Sequence, residues 1–133
     1  VALIVDSSAL LAVLLAEPAR DAITKAMAQA EDGMRISAVN FVEASVVIET
    51  RKGAAGLLAL DRLIEKAGVE VAIIDEKVAR EARDAYRNFG KGRHPAKLNL
   101  GDCFAYALAK TLSEPLLCTG NDFAKTDISV VLR

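Results

Sequence analysis

The sequence predicts an α/β fold: a three-layer α/β/α sandwich around a central, mostly parallel sheet of four or five short strands. Three observations carry that prediction. Short aliphatic runs alternate along the chain with longer segments of helical periodicity, the order that parallel crossovers require. Asp, Ser, Gly and Pro cluster at the junctions, where helices start and stop. The 133 residues, 53% of them hydrophobic, suffice for one compact core without disulfide or metal staples.

The elements follow in order. Ala2 to Val5 is an aliphatic strand ending at Asp6-Ser7-Ser8, and Ala9 to Leu15 then reads as helix. Pro18, in a first-turn position, opens a second helix reaching about Ala30; Gly33 breaks it before a short strand, Met34 to Ser37. Ser37 can cap a helix from Val39 to about Arg51, and Gly53 separates that helix from another, Ala54 to Ala67. Gly68 stops the latter before the alternating strand Val69 to Ile74. Asp75 caps a charged helix to about Phe89, and Gly90 to Leu100, with two glycines, a proline and basic residues, reads as an exposed loop. A nearly all-apolar helix runs from Gly101 to about Leu112. Pro115 to Cys118 is a strand, Thr119 to Phe123 a turn, and Ile128 to Leu132 a final strand.

Composition excludes several classes. A net charge of −1 rules out a generic cationic binder of nucleic acid, so any RNA contact must be local. Cys103 and Cys118 fit neither a CxxC redox motif nor a zinc pattern and read as reduced core thiols. The longest apolar stretch, Ala9 to Ala16, is too short to span a bilayer and has no basic flank, so a cytoplasmic protein with no membrane partner is expected.

The chemistry resides in four acids. In open parallel sheets ligand sites lie beyond the carboxyl ends of the strands. Asp6 follows the first strand directly, Asp122 follows the Pro115 to Cys118 strand after a four-residue turn, and Asp102 sits in the first turn of the helix leading into that strand. Each of the three could simply cap a helix, which contributes about 1 kcal/mol. Glu43 differs: on helical spacing it shares a face with Val39, Val46 and Val47, an apolar stripe where an ionised carboxylate is costly unless paired. No basic partners stand nearby in sequence. Clustered carboxylates repel one another unless a divalent cation neutralises them, and all-oxygen ligation suits Mg²⁺ or Mn²⁺. Such a site suits phosphodiester hydrolysis by an activated water. Ser8 could orient that water or hold Asp6, and N-capping is its alternative role.

These residues resemble the PIN-domain nucleases, and among them the VapC toxins of bacterial type II toxin–antitoxin pairs. The resemblance spans almost the whole chain, 1–133, as one PIN domain. It rests on Val5-Asp6-Ser7-Ser8-Ala9, on Glu43, on the run from Gly101-Asp102-Cys103-Phe104 to Ala109, and on Gly120-Asn121-Asp122-Phe123. It implies Asp6, Glu43 and Asp102 as an acidic triad for Mg²⁺ or Mn²⁺. The last motif is compressed after its threonine, so Asp122, which carries the charge, or Asn121, a neutral ligand or water-holder, fills the fourth position. It also implies a VapB-like antitoxin whose C-terminal segment covers the site, homodimerisation, and structured RNA, tRNA above all, as substrate.

One basic concentration precedes Gly101-Asp102: Arg83, Arg87, Lys91, Arg93, His94 and Lys97, interleaved with Tyr86 and Phe89. Arg87, Lys91, Arg93 and Lys97 could hold RNA phosphates, with Tyr86 or Phe89 stacking on bases; the alternative is a solvated helix face with both rings in the core. His94 and Tyr106 receive no catalytic role. A haloacid-dehalogenase-type phosphatase would need an acid where Ser8 stands, and a phospho-receiver domain an acidic pair after the first strand. A catalytically silent PIN-like binding module would have no use for carboxylates at positions where they cost stability.

Overall fold

The computed structural model describes residues 2–132. Its elements in chain order are β1 (Leu3–Val5), α1 (Ser7–Leu14), α2 (Arg20–Ala28), β2 (Met34–Ser37), α3 (Ala38–Ala67), β3 (Val69–Ala72), α4 (Glu76–Phe89), α5 (Leu100–Leu112) and β4 (Leu116–Leu117), followed by a 3₁₀ turn, Phe123–Lys125. The strands form one sheet in the order β3-β2-β1-β4, every pair parallel. Period-2 alternation splits the core. Leu3, Val5 and Leu117 face a cluster with Leu10, Ile23, Ile48 and Leu60 from α1, α2 and α3, while Ile4, Leu116 and Cys118 face Val78, Ala82, Tyr106 and Leu108 from α4 and α5. Both faces of the sheet are covered, which gives the α/β/α sandwich.

Helix ends follow the capping residues. Ser37 Oγ accepts from Asn40 N at 2.9 Å, Asp75 Oδ1 accepts from Val78 N at 3.0 Å, and Gly68 ends α3 in the left-handed region at φ 73°. Gly53 interrupts α3 with φ 66° and ψ −156°, the break its position in the sequence predicts.

Several expectations need correction. Residues 128–132 form no strand: the contact is a single parallel bridge, Leu116 to Val130, because Ser129 O and Val131 N grip only the Leu116 backbone. The helix expected to open at Pro18 starts at Arg20, and Pro18 sits in the turn before it. The segment after α4 is only partly exposed. Gly90 and Leu98 form a bridge, Ala96 and Leu98 are buried, and Phe89, partly buried, packs edge-on to His94 and at 5.4 Å from Tyr106 against the core.

The order β3-β2-β1-β4 reverses direction between β1 and β4. In open parallel sheets such a switch point is where ligand sites form, at the carboxyl ends of the two strands. Asp6 and the turn 119–122 lie at this point.

Candidate active site

Asp6 is the residue on which β1 ends and α1 begins. Its backbone N–H donates to Leu117 O at 2.9 Å, tying it to β4, and its Oδ2 accepts from Ser8 N at 3.1 Å as the N-cap of α1. The side chain is buried, with 3% of its surface exposed, yet Oδ1 has no hydrogen-bond partner among the described residues. Ser8 Oγ accepts from Thr119 N at 3.1 Å, so the loop after β4 is pinned to the first turn of α1. Ser8 thus holds both the cap and the loop.

Glu43 stands in the second turn of α3, and its environment corrects the sequence reading. Val46 lies 58% exposed, so the expected stripe of Val39, Val46 and Val47 is not the buried one. The buried row is Asn40, Ala44 and Ile48, at i, i+4 and i+8, and Glu43 borders it. Its Oε1 accepts from Ser7 Oγ at 2.5 Å and from Asn40 Nδ2 at 3.4 Å. Glu43 is held by neutral donors and forms no ion pair among the described residues.

Asp102 lies in the first turn of α5, within a capping box. Asn99 Oδ1 accepts from Asp102 N at 2.8 Å and Asp102 Oδ2 accepts from Asn99 N at 3.0 Å. Its other carboxylate oxygen is outside the box. Asp122 is half-buried where the 3₁₀ turn begins, and Asn121 is exposed beside it.

Electrostatics ties the four acids together. Burial, with smaller repulsion from Asp102 and Glu43, pushes the Asp6 carboxyl up to about 6 despite the opposing hydrogen bonds from Ser8. Burial also raises Asp102, helped by repulsion from Glu43 and Asp122 and opposed by the Asn99 N–H. Asp122 therefore belongs to the acidic field, and exposed Asn121 is at its rim. Cys103 and Cys118 are buried thiols raised to about 11 and about 12, chiefly by burial and further by the neighbouring carboxylates. Neither is a nucleophile at neutral pH.

Sequence reasoning missed three residues. Asn40 is a fully buried amide whose Oδ1 accepts from Ser37 Oγ at 2.5 Å and whose Nδ2 donates to Gly101 O at 2.9 Å. Ser7 clamps Glu43, and Asn99 caps α5. The Asn99 to Asp102 spacing was legible as a capping signature, whereas the contacts of Asn40 and Ser7 cross between elements and leave no local pattern.

Do these residues fit a divalent cation? Four carboxylates without ion pairs among the described residues, one with a buried oxygen that has no donor there, supply hard oxygen donors of the kind Mg²⁺ and Mn²⁺ take. Among the described residues no three acidic, His or Cys side chains converge closely enough to enclose an ion by themselves. Mg²⁺ keeps several waters and takes few protein ligands, so it does not require such an enclosure. The donor chemistry therefore fits.

The basic residues Arg87, Lys91, Arg93 and Lys97 are all exposed on the end of α4 and the loop after it. The Arg93 guanidinium sits 5.5 Å from the centre of the half-exposed Tyr86 ring. This segment leads into Asn99 and Asp102. His94 is used structurally, its Nδ1 accepting from Ala96 N at 3.0 Å.

The fold is a parallel α/β sandwich with acids at the carboxyl ends of its central strands, an arrangement several hydrolase and receiver folds share. Comparison with known proteins narrows the class. The PIN domain model matches residues 3–129. The chain is 43% identical over 130 residues to Ribonuclease VapC of Mycolicibacterium smegmatis, covering 97% of this chain and 99% of that one. It is 44% identical over 131 residues to Ribonuclease VapC28 of Mycobacterium tuberculosis, covering 98% of each. Among solved structures, M. tuberculosis VapC20, described as a sarcin-ricin loop cleaving toxin, superposes with a TM-score of 0.80 at 14% identity, covering 97% of this chain and 98% of that one. The VapC-containing complex VapBC2 of Rickettsia felis, solved on a promoter DNA fragment, gives 0.79 at 11% identity over 98% of both chains. The chain belongs to the PIN-domain family, and within it to the VapC ribonucleases.

Proposed function

We propose that this chain is a Mg²⁺-dependent endoribonuclease, the toxin of a VapBC-like pair, that hydrolyses structured RNA such as tRNA. One observation supports the metal dependence: Asp6 and Asp102 are each raised by burial and by repulsion from neighbouring acids, and Asp6, the most buried, has an oxygen with no donor among the described residues. Asp6, Glu43, Asp102 and Asp122 would hold the cation, with Mn²⁺ as the alternative ion. When bound, it supplies an activated water and counter-charge for the phosphate and the departing 3′ oxygen.

The chain's own residues do the rest. Ser7 and Asn40 fix the Glu43 carboxylate, the Asn99 capping box fixes Asp102, and Ser8 fixes Asp6 relative to the loop that carries Asp122. Asn121, at the rim, can hold a water. Arg87, Lys91, Arg93 and Lys97 would grip phosphates flanking the cut, and Tyr86 is the ring free to stack. The bond formed joins water oxygen to phosphorus; the bond broken frees the 3′ oxygen, which takes a proton. The products would be a 5′-phosphate and a 3′-hydroxyl.

The antitoxin rests on kinship with VapC proteins and on the solved complexes that share the fold. Exposed aliphatic side chains, Val42 and Val46 on α3 together with Leu58, Ile73 and Leu100, support burial against protein, in a homodimer or with the antitoxin.

Purified, partner-free protein incubated with total cellular RNA in Mg²⁺ tests the reading. Discrete fragments that disappear with EDTA and with Asp6→Asn support it. Cleavage that persists in EDTA, or 2′,3′-cyclic phosphate ends, would overturn the metal-dependent mechanism.

A further inference from the structure

We infer that Gly101 and Asn40 are positioning residues that aim the Glu43 carboxylate, Gly101 by leaving it the space of a missing side chain and Asn40 by gripping both partners. The inference rests on the proposed metal site and extends it to residues that never touch the cation.

Gly101 is buried in the first turn of α5. It is helical there, with no left-handed φ to require glycine, and glycine is among the poorest helix formers. Backbone freedom therefore does not explain it. Space does: a Cβ at this position would lie 2.7 Å from Glu43 Cδ and 2.8 Å from Glu43 Oε1, closer than real Cβ atoms approach. The two other crowded glycines differ: Gly56 abuts Lys52 Cβ and Ile48 O, and Gly90, just after α4, abuts Tyr86 O and the Tyr86 ring. Only at Gly101 is the close neighbour a carboxylate.

Asn40 completes the device. Fully buried, it donates through Nδ2 to Gly101 O at 2.9 Å and, more weakly, to Glu43 Oε1 at 3.4 Å, while Ser37 Oγ donates to its Oδ1. One amide thus sets α5 against α3 at the point where Glu43 lies on Gly101. Because Asp102 is the next residue, the same contact sets the spacing between two of the acids. The crowded group is the far end of a flexible side chain, so a methyl at position 101 should displace the carboxylate and leave the helices packed.

The test compares wild type, Gly101→Ala, Glu43→Asp and the double variant, measuring Mn²⁺ binding by calorimetry and thermal midpoint in EDTA. Gly101→Ala should fold with a near-wild-type midpoint and bind Mn²⁺ roughly tenfold or more weakly. Glu43→Asp should also weaken binding, but its shorter carboxylate clears the new methyl, so adding Gly101→Ala to it should cost nothing further. If Gly101→Ala is instead strongly destabilised, Glu43→Asp should restore the midpoint. Wild-type Mn²⁺ affinity in Gly101→Ala, fully additive losses, or a lost midpoint that Glu43→Asp does not restore would each overturn the inference alone. Wild type that binds no Mn²⁺ would overturn the metal site and this inference with it.

Discussion

Ser7 Oγ donates a 2.5 Å hydrogen bond to Glu43 Oε1, joining the first residue of α1 to the second turn of α3 across 36 positions of sequence. Asp6, next to Ser7, is thereby held in register with Glu43. Ser7→Ala should destabilise the fold by about 1 kcal/mol, the net worth of one such bond. The cleavage rate should fall further than that implies, by roughly tenfold, because the carboxylate loses its orientation. Thermal melts and single-turnover cleavage distinguish the two effects; an unchanged rate would mean that the orientation of Glu43 does not matter.

Asp6 predicts an inverse relation between activity and stability. Its carboxyl is raised from 3.8 to about 6 by burial, so the folded state binds this proton more tightly than the unfolded chain does. In metal-free protein the Asp6 contribution should be fully present below about pH 4 and be lost, up to about 3 kcal/mol, as pH rises through about 6. Asp102, also raised, acts in the same direction. Asp6→Asn should abolish cleavage, flatten most of this slope and melt several degrees above wild type at pH 8 in EDTA. Denaturant titrations across pH check the sign.

The fourth acid and its neighbour should separate cleanly. Asp122 contributes to the field on Asp102, while Asn121 is exposed. Asp122→Asn is expected to lower kcat strongly, and Asn121→Ala to change it only a few-fold. The reverse ranking, read from steady-state cleavage of one purified RNA, would assign the position to Asn121.

Neutralising Arg87, Lys91, Arg93 and Lys97 together should raise KM with little change in kcat, because phosphate contacts position substrate without touching the reacting bond. Removing them should also lower the salt dependence of binding by several charges, measurable by fluorescence anisotropy over a salt series. Wild-type binding in the fourfold variant would place the RNA elsewhere.

Much of this arrangement was legible because its signals are local. Asp6 at the end of an aliphatic run, Ser37 and Asp75 as caps, and Gly53 and Gly68 as breaks act through their own backbone neighbourhood, and each acts where the sequence predicts. The misreadings involve partners distant in sequence. Val46 has the right spacing to share a buried face with Glu43, yet spacing does not say which side of α3 meets α1 and α5. Residues 128–132 have strand composition, but the Leu116 backbone offers them only one bridge. For Phe89 the sequence leaves stacking on RNA and packing in the core both open, and the return of Leu98 beside Gly90 packs the ring against the core.

The sequence by itself determined the order of strands and helices as far as β4 and the parallel sheet, and it singled out four candidate acids, because periodicity, caps and charge are written residue by residue. Only the tertiary structure decided how those acids are held: Ser7 on Glu43, Asn40 between two helices, and a glycine at position 101 where any side chain would displace a carboxylate. The physical reason is that hydrogen bonds and steric exclusion between elements depend on crossing geometry, which arises from packing the whole core and has no period along the chain.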